Sequence, residues 1–132
     1  QFKKLKKIIN FKSKISKKYN NYFKDYNDIE IPYIPKYVSQ HGWYAYCIKL
    51  KNNKQRDLVI KQLQKNNIDY RISFPPIPLQ PYYKNRFKYN KKNFKKSCDI
   101  FSRFIDLPNW YGMNDKEIKY WNGSSFVFYF MF

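Results

Sequence analysis

The stretch IDYRISFPPIPLQPYYK, Ile68 to Lys84, decides how the rest of the chain must be arranged. Four prolines fall within seven residues: Pro75, Pro76, Pro78 and Pro81. Each fixes its own φ, removes a backbone donor and pushes the residue before it toward extended geometry, so the segment predicts a path that no helix or central strand could follow. Between and around the prolines stand Tyr70, Phe74, Ile77, Leu79, Tyr82 and Tyr83. A stiff ribbon studded with apolar rings can form a pocket wall, whereas a flexible linker would be built from glycine and serine.

Outward from this ribbon, the periodicities predict a succession of short elements. Upstream, HGWYAYCIKL (His41 to Leu50) has the aromatic and β-branched density of a strand, with Trp43, Ala45, Cys47 and Lys49 on one face and Tyr44, Tyr46, Ile48 and Leu50 on the other. Asn52 and Asn53 introduce a helix whose inward stripe is Leu58, Val59, Ile60 and Leu63, and a short strand, Ile68 to Ile72, leads into the prolines. Downstream, Phe94, Cys98, Phe101 and Ile105 recur at helical spacing, FIDLP (Phe104 to Pro108) reads as a helix end passing into a strand, and NDKE (Asn114 to Glu117) has the form of a capping box. The helix it opens carries Ile118 and Trp121. At the other end, Leu5, Ile8, Ile15, Tyr19, Tyr22 and Tyr26 mark one face of a long amphipathic helix, stopped by Asn27, Asp28 and the prolines beyond. The expected fold class is therefore α+β: a long N-terminal helix and a small, mostly antiparallel sheet covered by helices.

Composition narrows the function less than the pattern does. A chain of 132 residues has room for one core, and its formal net charge of +18 suits a polyanionic partner. Only four of its 27 basic residues are arginines (Arg56, Arg71, Arg86 and Arg103), although bidentate phosphate recognition favours arginine. The dominance of Lys, Asn, Ile, Tyr and Phe equally fits an A/T-rich gene whose charge has drifted onto solvated faces. Cys47 and Cys98 make no disulfide framework, and a reducing, cytoplasmic setting is the default. His41, the lone histidine, reads as a turn residue ahead of a strand rather than a metal ligand. No glycine-rich phosphate loop is present, and Ser73, Ser97 and Cys98 have no histidine nearby in sequence. Asp99 and Asp106 lie seven apart, on one face if the helix runs that far, and read as a surface pair. No run approaches the length of a membrane span, although the aromatic end FVFYFMF (Phe126 to Phe132) is an aggregation hazard unless buried.

Four blocks then carry a resemblance: YNNYFKDYNDIEIPYIP, HGWYAYCIKL, RDLVIKQLQKNNIDYRISFPPIPLQPYY and NFKKSCDIFSRFIDLPNWYGMNDKEIKYW. In that order and spacing they resemble the C-terminal small domain of the DegT/StrS family of pyridoxal-phosphate-dependent nucleotide-sugar aminotransferases, from Gln1 to about Trp121. The resemblance implies an aspartate-aminotransferase-type fold in which a large domain, preceding Gln1, carries the Schiff-base lysine while the small domain closes over the sugar. It divides the chain into a helix linking from that missing domain (1–28), the small domain (29–122) and a divergent aromatic tail (123–132). The complete enzyme would use pyridoxal 5′-phosphate, glutamate and a keto nucleotide sugar, as a homodimer serving amino-sugar or polysaccharide biosynthesis.

No lysine here lies in a sequence like the family's Schiff-base motif, so no catalytic or cofactor-binding residue is assigned, and none of the cofactor is expected on this chain alone. Position within the resemblance makes Arg71, Phe74, Pro78, Leu79 and Gln80 the substrate-binding candidates; Arg71 reads equally as an exposed strand-end charge, and Phe74 as core. Relatives often have histidine where Pro78 stands, and their last helix continues with charged residues where GSSFVFYFMF stands here. Those departures suggest a split, frameshifted or decaying gene, or a piece of a longer record. Two other classes compete. One is a basic RNA-binding protein such as a ribosome-associated component, with lysines on phosphates and tyrosines stacked on bases; the family resemblance makes nucleic acid the lesser expectation. The other is a membrane-surface helix, weakened by how few large apolar residues the first helix has.

Overall fold

The computed structural model describes residues 2–72 and 74–123, without the side chains of Lys119 and of residues 121–123. The aromatic run Phe126 to Phe132 and the side chain of Trp121 thus lie outside the described residues. Among the described residues, five α-helices and three strands follow one another as α1 (Leu5–Phe23), β1 (Ile29–Glu30), β2 (Tyr46–Leu50), α2 (Asn53–Lys65), α3 (Pro81–Phe87), α4 (Lys95–Arg103), β3 (Phe104–Leu107) and α5 (Asp115–Gly123). The strands form one antiparallel sheet in the order β1-β2-β3, so the fold is α+β as the pattern predicts.

β2 is the axis of the molecule. Its alternation sends Tyr46, Ile48 and Leu50 into the core and leaves Cys47 and Lys49 half-buried. α1 lays Ile15, Tyr19 and Phe23, four apart, along the same core, with the Tyr19 ring 4.8 Å from Tyr46. α2 adds Val59 and Leu63, β3 adds Ile105 and Leu107, and Met113 and Ile118 close the end of the cluster. Two buried phenols find acceptors: Tyr19 Oη donates to the Pro108 carbonyl at 2.9 Å and Tyr46 Oη to Asn20 Oδ1 at 2.7 Å. Burial pushes the pKa of both phenols upward.

Several expectations are corrected. The N-terminal part of the first apolar stripe does not enter the core: Leu5 is exposed and Ile8 half-buried, and Phe23 rather than Tyr22 is fully buried. In α2, Leu58 stays exposed, because the 3.6-residue period rotates it away from the side on which Val59 and Leu63 lie. The face Phe94–Cys98–Phe101–Ile105 is broken, since α4 ends at Arg103 and Ile105 is buried from β3. Asp99 and Asp106 therefore share no helical face. The expected strand from Ile68 to Ile72 reduces to one bridge, Arg71 with Asp106.

The strand expected from His41 begins only at Tyr46. Trp43 adopts a left-handed φ of 48°, its N–H donating to His41 Nδ1 at 3.1 Å. This turn puts the Trp43 ring inward, 5.8 Å from Tyr46, and leaves Tyr44 74% exposed on the surface. The proline ribbon also departs from a purely extended path: Ile77–Leu79 is a 3₁₀ turn and Pro81 starts α3. A proline at the first helical position loses no hydrogen bond, because that N–H has no intrahelical acceptor.

Candidate functional site

Arg71 and Asp106 are joined twice. Their backbones exchange both hydrogen bonds, at 3.1 and 2.9 Å, and Arg71 Nε donates to Asp106 Oδ2 at 3.0 Å. Asp106 is only 5% exposed, so a carboxylate there requires a cation and hydrogen-bond donors to offset its lost hydration. The guanidinium meets that need from the half-exposed side, and it is itself held from a third direction. Arg71 Nη1 donates to Tyr44 Oη at 3.1 Å, and the guanidinium lies 5.0 Å from the Tyr44 ring centre. Bonds to Tyr44 and then to Asp106 push the guanidinium pKa above its ordinary value.

This fixed guanidinium lines a cleft of about 210 Å³ together with Tyr44, Asp69, Tyr70, Asn109 and Trp110. A second hollow of about 440 Å³ adjoins it, sharing Asp69, Pro108 and Trp110 and reaching Tyr120 on α5. The floor of the first is positioned from α1, where Tyr19 holds the Pro108 carbonyl and Ser16 Oγ accepts from Asn109 Nδ2 at 3.4 Å. Rings on the walls, an oriented donor and a carboxylate at the rim suit a polar ligand with apolar faces.

Of the five substrate-binding candidates, only Arg71 lines this cleft. Phe74, 79% exposed, stands outside it, and Pro78, Leu79 and Gln80 are half-buried on the 3₁₀ turn and its flank. Asp106, Tyr44 and Trp110 were missed as partners. One signal was available for Asp106: a carboxylate inside the apolar strand FIDL must pair with something, although its partner stands 35 residues away. Among the described residues no group of three or more His, Cys, Asp or Glu could hold a metal.

The profile of the DegT/DnrJ/EryC1/StrS aminotransferase family matches residues 1–122. The chain belongs to this aminotransferase family. An uncharacterized protein of Methanocaldococcus jannaschii is 31% identical over 123 residues, covering 89% of this chain and 31% of that protein. Among solved structures, Helicobacter pylori PseC, an aminotransferase involved in the biosynthesis of pseudoaminic acid, aligns with a TM-score of 0.81 at 20% identity, covering 98% of this chain and 34% of PseC. Spr1654 from Streptococcus pneumoniae in its PLP form aligns with a TM-score of 0.80 at 20% identity, covering 96% of this chain and 32% of its own. The family member described here thus spans about a third of the length of these relatives.

Pyridoxal phosphate held as a Schiff base needs an amine desolvated or placed beside a cation. No described lysine is buried. Lys12 and Lys49 are half-buried, the first donating to the Trp43 carbonyl at 3.2 Å and the second paired with Glu30, and the remaining described lysines are exposed. The described residues do not fit this cofactor.

Proposed function

We infer that this chain is the small domain of a pyridoxal-phosphate-dependent aminotransferase acting on a keto nucleotide sugar, with glutamate as the amino donor. The family match along residues 1–122 carries the reading. The family's chemistry supplies the cofactor and the product class, and the exposed lysines favour placing cofactor attachment on polypeptide other than the described residues. In the assembled enzyme, a cytoplasmic homodimer, α1 links to the large domain and residues 29–122 close over the sugar. Arg71, Phe74, Pro78, Leu79 and Gln80 face the substrate, and the chain alone is inactive. Arg71 is the member of that set with a fixed donor geometry.

A chimera tests this directly: residues 1–122 replace the matching third of a family enzyme, and transfer of the glutamate amino group to a keto nucleotide sugar is followed. Activity is expected, with an Arg71→Ala change lowering kcat/KM at least about tenfold, the order of one charge-assisted hydrogen bond in the transition state. A chimera that folds and binds cofactor yet transfers nothing to any keto sugar would refute the reading. So would a stable pyridoxal absorbance shift on this chain alone that lysine-blocking reagents abolish.

A further inference from the structure

From Lys84 to Lys96 the sequence KNRFKYNKKNFKK has a lysine or arginine at more than half its positions and no carboxylate; the nearest acids in sequence are Asp69 and Asp99. Every residue from Pro81 to Asn93 is exposed. None of these cations takes part in an ion pair among the described residues, whereas lysines elsewhere do, as in Lys18 with Asp115 and Lys51 with Asp28. Set among the cations is a run of touching rings. Tyr82 meets Tyr83 at 5.2 Å, Tyr83 stacks on Phe87 at 6.3 Å, Phe87 stacks on Tyr89 at 5.4 Å and Tyr89 meets Phe94 at 5.1 Å. The Arg86 guanidinium lies 5.7 Å from the Phe87 ring centre.

We propose that this surface of α3 and the turn leading into α4 binds single-stranded nucleic acid. Charge decides against the other occupants. A second copy would bring the same cations against themselves, and an acidic protein would explain the lysines but leave the ladder of half-exposed rings without a role. A single strand offers both complements at once: phosphates spaced along a backbone for the cations, and planar bases for the rings. A double helix hides its bases and gives the rings nothing to stack on. The proposal is independent of the transferase reading, since neither the Arg71 cleft nor any cofactor enters it.

The test is fluorescence anisotropy of the 132-residue chain with a labelled 15-nucleotide oligouridylate, at two salt concentrations. Engagement of about four phosphates predicts a log–log salt slope near −3, so doubling the salt weakens binding about eightfold. Lys84→Glu with Lys96→Glu should weaken binding at least about tenfold, and so should Tyr82→Ala with Tyr89→Ala, each with an unchanged far-ultraviolet circular dichroism spectrum. Lys3→Glu with Lys7→Glu makes the same change of net charge on α1 and should shift affinity less than about twofold. Equal losses from both lysine pairs would mean a diffuse effect of net charge and overturn the proposal. So would an unaffected ring-deleted variant, a duplex that binds as tightly as the single strand, or uridine diphosphate competing as well as the oligomer at equal nucleotide concentration.

Discussion

At the scale of single residues, two carboxylates show how position sets the role of a charge. Asp106 is buried and tied to Arg71 through both backbone and side chain, so it fixes a guanidinium at the mouth of a cleft. Asp28 sits at the surface, where a hydrogen bond from Gln55 Nε2 at 3.0 Å and then the Lys51 ammonium at 3.0 Å hold its pKa below the ordinary carboxylate value. A depressed carboxyl pKa contributes stability that is complete above the unfolded value and is lost as pH falls through the folded one. Gln55→Ala should therefore raise the Asp28 titration midpoint toward the ordinary range, read from its side-chain carbon shift by NMR. It should also shrink the acid-side loss of stability assigned to this group. An unmoved midpoint would show that Lys51 alone sets the value. None of the Arg71 geometry could be read locally, because Tyr44 and Asp106 stand 27 and 35 residues from Arg71 and meet it only through the sheet.

At the scale of elements, the signals that proved legible were those written within one turn of chain. NDKE forms a reciprocal capping box: Glu117 N–H donates to Asn114 Oδ1 at 2.9 Å, and Asn114 N–H donates to Glu117 Oε2 at 2.6 Å. Asn114→Ala should cost about 1 kcal/mol, measured by urea denaturation, and Asn114→Ser should recover most of it. Just before it, Gly112 has a φ of +103° and open space where a Cβ would stand. Gly112→Ala should destabilise by about 1–2 kcal/mol through backbone strain alone, with no steric contribution to relieve. FIDLP was legible for the same local reason, passing from α4 into β3 within a few residues. Two elements were not. α3 is hidden because four nearby prolines signal an extended path while Pro81 in fact occupies the first helical position, and the start of β2 is hidden because Trp43 takes a left-handed turn that a bulky residue rarely adopts.

At the scale of the molecule, burial divides the chain unevenly. α1, the sheet, α2 and the segment leading into α5 share one apolar cluster, to which no residue between Phe74 and Asn93 contributes. Truncations should follow that division when measured by chemical denaturation. Leu63→Ala, at a fully buried position, should cost about 2–5 kcal/mol, whereas Ile77→Ala, 64% exposed, should stay within about 0.5 kcal/mol. Comparable losses at the two sites would mean that the limb folds as part of the core. The α+β class and the order of the blocks were visible in sequence because periodicity and hydrophobic pattern specify them. The cleft was not, because pockets arise from pairings that no local pattern encodes.

The limb that begins at Phe74 leaves the sheet just after the rung between Arg71 and Asp106, returns to it through α4 and β3, and adds no residue between Phe74 and Asn93 to the buried cluster. Evolution can accordingly revise its side chains toward new specificities without first discovering compensating changes in the interior. Along residues 74–93, selection for recognition is thus largely released from the packing constraints that govern the buried cluster.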